Sequence, residues 1–216
     1  MGEFPNAIYQ IGSPDIDIML SNKLPSLQTV KKYYEIMFKE YSIAIFHPVV
    51  TEFDQIEKQA NNFVKALVES GENYLVIYPN NDKGSEYIFK EYEKFSGNNK
   101  IRYLPSLRFE YFLVLLKNAK FIIGNSSVGV REASYYGIPS INLGSRQNKR
   151  VENEDIINCD FSEKEILKSI KKALKIKRRK VKKLFGKGDS DKKFIKILNS
   201  KGFWDTSKQK LFQDII

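Results

Sequence analysis

Residues 121–150, FIIGNSSVGVREASYYGIPSINLGSRQNKR, constrain the fold of this chain more than any other segment. The apolar run Phe121-Ile122-Ile123 has the character of a buried strand and stops at Gly124-Asn125. Ser126, Ser127 and Gly129 follow, then a helical stretch that carries Glu132. A second short strand over residues 138–143 ends at Gly144 and releases Arg146, Gln147 and Arg150. Hydroxyls and backbone N–H groups therefore sit where a strand feeds a helix N-terminus, an arrangement suited to an anion. Open α/β sheets bind ligands at that C-terminal strand edge. The arginines beyond the next strand can close over the same ligand.

Strand-like and helix-like segments alternate through the rest of the central chain. Strands are expected at 42–47, 74–78 and 101–104, with an edge strand at 156–159. Helices are expected at 52–69, from Gly84-Ser85 to Ser96-Gly97, at 109–119, 127–136 and 163–176. This alternation predicts an α/β fold, a Rossmann-like parallel sheet with helices on both faces. The ends read differently. Residues 8–11 suggest a strand, Gly12-Ser13-Pro14 a turn and residues 27–38 a helix. Beyond Gly186, a helix over 191–198, then Phe203-Trp204 and an amphipathic segment over 208–216, complete the chain. The expected organisation is an approach segment at 1–40, a Rossmann-like domain at 41–185 and a helical extension at 186–216.

Composition narrows the function classes. At 216 residues, with 42% hydrophobic and 13% aromatic content, the chain can bury one large core. The single cysteine, Cys159, excludes an intramolecular disulfide and any two-cysteine metal site. No segment approaches the roughly 18–20 apolar residues that span a bilayer, and the first residues lack a signal-peptide pattern. A cytoplasmic location is the default expectation, with no membrane partner. The net charge of +10 is concentrated at 164–196, including KIKRRKVKKLFGKG at 175–188. That run reads either as a solvated helix face with a basic loop or as a patch for RNA or a membrane surface. No aromatic platform is interleaved with it, which weakens the case for single-stranded nucleic acid, and the charge alone does not decide.

The chemistry-bearing residues lie after the expected strands. His47, the only histidine, ends the first central strand and precedes Pro48, which turns the chain before the next helix. Its position favours a ligand contact over a purely structural role. The loop from Pro79 through Asn80, Asp82, Gly84 and Ser85 is a turn by composition, with Ser85 available as a helix cap, or a ligand loop in the same topological place. Pro105-Ser106-Leu107 alone is a turn. Ser126 and Ser127 lack the spacing of a nucleophile elbow and suit a phosphate cradle better. Glu132, one turn into its helix, suits the helix dipole and equally a pair of ribose hydroxyls. No Walker motif or G-x-G-x-x-G is present.

Taken together, these pieces resemble the C-terminal half of the UDP-N-acetylglucosamine 2-epimerases, and within them the hydrolysing branch. The matching residues are Gly12-Ser13-Pro14 with Asp17, His47 through Glu52, Pro79-Asn80 with Asp82 and Gly84-Ser85, and Gly124 through Glu132. Gly137-Ile138-Pro139, Asn142-Leu143-Gly144 and Arg146-Gln147 with Arg150 continue the match. The resemblance implies one half of a glycosyltransferase-B type fold of two facing Rossmann domains. It implies that His47 lies near the diphosphate and is the candidate catalytic residue of this half. Asn80, Ser126, Ser127, Gly129, Glu132 and Arg146 would complete a UDP site, with Ser126 and Ser127 on the diphosphate and Glu132 on the ribose. Neither a metal nor a cofactor is implied. Ser106 stands where many non-hydrolysing relatives carry an aromatic residue near the uracil.

The implied reaction eliminates UDP and adds water, giving N-acetylmannosamine or a related 2-epimeric amino sugar for sialic-acid-like products. Family members carry an N-terminal Rossmann domain that supplies the proton chemistry. This chain is therefore expected to be a domain of a longer enzyme, inactive alone, with Met1-Gly2 as an added start. Its expected partners are the UDP-sugar, that N-terminal domain and, in the full enzyme, a second copy. The alternatives are the donor-binding half of a glycosyltransferase or a basic RNA- or membrane-binding module.

Overall fold

A computed structural model describes residues 3–147, 156–178 and 185–209. Arg150, the centre of the lysine run and most of the 208–216 segment lie outside the described residues. The chain divides into two compact units, one of Pro25–Lys182 and one of Met1–Leu24 with Lys183–Ile216. In chain order the helices are α1 (Pro14–Met19), α2 (Leu27–Tyr33), α3 (Ile56–Ser70), α4 (Ser85–Tyr92), α5 (Phe109–Asn118), α6 (Glu132–Tyr136), α7 (Glu163–Ala173), α8 (Ser190–Leu198) and α9 (Lys201–Trp204).

The larger unit is built on a sheet whose six described strands are all parallel: β1 (Ser42–Ile45), β2 (Tyr74–Ile77), β3 (Ile101–Leu104), β4 (Ile122–Gly124), β5 (Ser140–Leu143) and β6 (Ile156–Cys159). Their order is β3-β2-β1-β4-β5-β6. Two-sided burial explains the apolar character of the inner strands β1, β2, β4 and β5, whereas the edge strands β3 and β6 are only partly buried. Ala44, Phe46, Val76, Ile123 and Ile141 pack with α3 and α7 residues such as Phe63, Leu67, Ile166 and Ile170. The alternate residues Ile43, Ile45, Leu75 and Ile122 point the other way along the pleat and are buried as well. Helix α3 contacts α4 and α7, whereas α5 contacts α2 and α6. The expected parallel α/β sheet is thus the observed one.

The strand order sets the place of the site. The chain steps outward from β1 to β2 and β3, then returns to the opposite side of β1 to form β4. The loops after β1 and β4 therefore diverge, and a crevice opens between them at the C-terminal edge.

Four expectations from the sequence are corrected. Residues 8–11 form no strand: a strand needs a ladder partner, and the regular structure nearby is a 3-10 turn at Pro5–Ala7. Pro14 opens α1 rather than a turn, in the first-turn position where its missing N–H costs nothing. Helix α2 stops at Tyr33 instead of Phe38 because Glu35 adopts a left-handed φ of 53°, and the Ile36 N–H closes back on the Lys31 carbonyl at 2.8 Å. The 127–136 helix is divided into a 3-10 turn at Ser127–Gly129 and α6.

The units also divide the chain differently from the expected boundaries at 40 and 185. Helix α2 packs on α5 through buried Val30 and so belongs with the sheet. The two ends fold together. Ser13 N–H donates to the Phe185 carbonyl at 2.7 Å. The Asp17 carboxylate accepts the N–H groups of Ser190 and Asp191, both at 3.2 Å, and caps α8.

Candidate functional site

The site begins where β4 leaves the sheet. Ile43, Ala44 and Ile45 of β1 pair with Ile122, Ile123 and Gly124 of β4. At Gly124 the backbone takes a φ of +144°, and a Cβ there would stand 1.7 Å from the Ile45 carbonyl oxygen. Only glycine permits that turn so close to a neighbouring strand. Asn125 follows, fully buried. Its N–H reaches the Ile45 carbonyl at 3.2 Å. Its side-chain Oδ1 accepts the His47 N–H at 2.8 Å, and its Nδ2 donates to the His47 carbonyl at 2.8 Å.

His47 is held from a second side. Its Nδ1 accepts the backbone N–H of Asn80 at 3.1 Å, which joins the loops after β1 and β2. A ring nitrogen that accepts an N–H carries no proton, so the neutral ring bears its proton on Nε2. Burial first and the nearby Arg146 guanidinium second together lower the imidazole pKa to about 4, against a smaller opposing effect of Asp82. His47 is therefore a neutral hydrogen-bond donor at physiological pH. The Asn80 side chain turns aside and donates to the Asp82 carboxylate.

The loop after β5 comes to the same point. Arg146 Nη1 and Gln147 Nε2 both donate to the Asn125 carbonyl, at 3.2 and 3.0 Å. Ser145 Oγ donates to Glu52 Oε1 at 2.7 Å, and Gln59 Nε2 donates to Glu52 Oε2 at 2.8 Å, so that α3 braces this loop. The serine loop itself is tight. Ser126 Oγ accepts the Val128 N–H at 3.5 Å, and the Arg131 N–H returns to the Ser127 carbonyl at 3.0 Å. Ser126 and Ser127 are half-buried. Glu132, first residue of α6, is 8% exposed, so its carboxylate lies at a helix N-terminus and largely out of water.

Hydrogen bonds and charge thus bring His47, Asn80, the Asn125–Ser127 loop and Arg146 together at one edge. Gly129 plays a packing part: its position lies against β5, where an added Cβ would be 2.7 Å from Ser140 Oγ. Pro105-Ser106-Leu107 follows β3, two strands from β1 and hence about 10 Å along the edge. The bracing roles of Asn125, Glu52 and Gln147 escape sequence reasoning. For Asn125 the available signal was a polar residue directly after a buried apolar strand.

Chemically, the cluster offers a guanidinium, a neutral N–H donor and two hydroxyls, a set suited to a phosphate, and the shielded Glu132 carboxylate stands in the helix that follows the serine loop. Among the described residues, no group of three or more His, Cys, Asp and Glu is placed to hold a metal ion. No described helix is long and apolar enough to cross a membrane. A groove of about 1000 Å³ runs along α3 and α7 beside Lys164, Lys168, Lys171 and Lys175 and contains none of these site residues.

Comparison with known proteins identifies the family. A family model described as UDP-N-acetylglucosamine 2-epimerase matches residues 1–199. The chain is 45% identical to a UDP-N-acetylglucosamine 2-epimerase of Neisseria meningitidis serogroup B, over all of this chain and 58% of that protein. It is 27% identical to a UDP-N,N'-diacetylbacillosamine 2-epimerase (hydrolyzing) of Legionella pneumophila, over 93% of this chain and 53% of that protein. The chain therefore spans little more than half the length of these relatives. Its fold matches that of the Methanocaldococcus jannaschii UDP-GlcNAc 2-epimerase, solved with UDP-GlcNAc and UDP, with a TM-score of 0.72 over 91% of this chain and 56% of that one, at 22% identity.

Proposed function

The chain belongs to the UDP-N-acetylglucosamine 2-epimerase family, and from that premise we propose that it carries the UDP-binding half of a hydrolysing UDP-sugar 2-epimerase. The observation that supports this reading most is the convergence of His47, Asn80, the Asn125–Ser127 loop and Arg146 at the switch point of a parallel sheet. In the proposed reaction UDP leaves the anomeric carbon as the C2 proton is removed, and water then adds to the unsaturated sugar. The charge that develops falls on the departing diphosphate.

This half would meet that charge. Arg146 supplies a fixed positive charge, and Ser126 and Ser127 supply hydroxyls. His47 contributes a neutral Nε2–H donor rather than a base, because its Nδ1 is already occupied and its pKa is depressed. The buried Glu132 carboxylate suits the two hydroxyls of a ribose. Proton removal at C2 is assigned to the portion of the relatives that this chain does not span. The hydrolysing assignment draws support from the Legionella relative's name.

Calorimetric titration with UDP and UMP, each in the presence of a chelator, tests the reading. UDP is expected to bind without metal and more tightly than UMP. Equal affinities would remove the diphosphate assignment, and absence of UDP binding would remove the reading altogether.

A further inference from the structure

Asn125 occupies the point where three loops meet, yet it has no surface with which to touch a ligand. It is fully buried, and both ends of its amide are engaged by one residue, His47. The geometry has a specific meaning. The β1–β4 ladder ends at the pair Ile45 and Gly124, because Gly124 turns the β4 backbone away. Beyond that point the side-chain amide of Asn125 donates to and accepts from the His47 backbone, at 2.8 Å each way. A primary amide has the donor and acceptor of a peptide group, and here it takes the place of the missing strand. The β1 backbone thereby stays registered to position 47 while the β4 backbone departs into the serine loop.

We propose that Asn125 is a positioning residue of the nucleotide site: its side chain is a surrogate peptide that aims His47, and its carbonyl anchors Arg146. The carbonyl accepts both Arg146 Nη1 and Gln147 Nε2, so the same residue that fixes the loop after β1 also draws in the loop after β5. With the His47 backbone held by Asn125, the imidazole Nδ1 meets the Asn80 N–H at 3.1 Å. One tautomer follows, and Nε2–H is left as the donor. Loss of the amide would leave the partly buried N–H and carbonyl of His47 without these partners and free the ring to change tautomer. This inference rests on the proposed UDP site for its functional consequence, but its structural core does not.

His47 is the only histidine in the sequence, so its ring gives an unobscured nitrogen–proton correlation spectrum. The experiment compares wild type, Asn125→Ala and Asn125→Asp at neutral pH, without UDP and then in UDP titrations. Asn125→Asp keeps the shape and the acceptor for the His47 N–H but sets a carboxylate oxygen against the His47 carbonyl. It decides the matter if the alanine variant fails to fold. The wild-type ring is expected to show the single pattern of a neutral ring protonated at Nε2. Both folded variants should show an averaged or broadened pattern and bind UDP at least tenfold more weakly. An unchanged ring pattern in a folded variant would overturn the proposal, as would a changed ring with unchanged UDP affinity. If wild-type chain binds no UDP, the proposed function fails, while the ring comparison still decides whether Asn125 orients His47.

Discussion

Lowering the pH from about 7.5 to about 5 should destabilise this chain by about 2 kcal/mol more than its His47→Gln variant. The folded His47 has a pKa of about 4 against an ordinary value of 6.5. Burial is the largest cause, and the Arg146 charge adds to it. Between those two values the unfolded chain binds a proton at this ring that the folded chain refuses. Stability therefore rises with pH across the window. The contribution is complete above 6.5 and is lost progressively as pH falls towards 4.

Each pH unit inside the window is worth about 1.4 kcal/mol, and about 1.5 units lie between 6.5 and 5, which gives the stated difference. Urea unfolding of both proteins at several pH values measures it. The carboxylates titrate in both proteins and cancel in the comparison, and the glutamine amide can still accept the Asn80 N–H. Parallel pH curves for the two proteins would refute the reasoning, and with it the picture of His47 as a desolvated neutral donor. A wild type that gains stability on acidification would refute it more strongly.

Gly124→Ala should cost about 3–5 kcal/mol in urea unfolding, from left-handed backbone strain and one or two lost ladder bonds, because its Cβ would lie 1.7 Å from the Ile45 oxygen. A loss below about 1 kcal/mol would show that β4 can shift without penalty. Glu132→Ala should weaken UDP binding by about 1–3 kcal/mol, the scale of leaving charged hydrogen-bond partners unmatched; calorimetry showing no change would leave Glu132 as a helix-dipole residue. Under the proposed division of labour, in which the portion of the relatives that this chain does not span supplies the base at C2, the chain incubated alone with UDP-N-acetylglucosamine should release no UDP at an enzymatic rate. Turnover measured as free UDP would place the proton chemistry within these 216 residues.

The sheet was legible because its causes are local. Strands β3 and β6 lie at the residues expected from short apolar runs bounded by polar ones, 101–104 and 156–159. Buried parallel strands are apolar on both faces, and their helices carry the longer period, so that alternation alone implies crossover connections. The same logic placed His47, Asn80, Ser126 and Arg146 at strand ends, since a loop that follows a parallel strand must emerge at the C-terminal edge. Local readings failed where the outcome depended on a distant partner. Residues 8–11 have strand-like composition but pair with no strand among the described residues, and helix α2 ends where Glu35 turns over and meets Arg102 from β3, at 3.0 Å.

What the amino-acid order determined by itself, then, is the layered α/β architecture and the edge on which its polar loops gather. What only the tertiary structure decided is how those loops are joined. Asn125 and His47 are 78 residues apart in sequence and meet only because β4 returns to the side of β1 opposite β2. Until that pairing exists, Asn125 is a polar residue after an apolar run and His47 a lone histidine before a proline. Once it exists, the departing β4 backbone leaves the partly buried His47 peptide groups without ladder partners beside the fully buried Asn125. Only a side-chain amide of the right length can satisfy both, and that requirement gives the site its geometry.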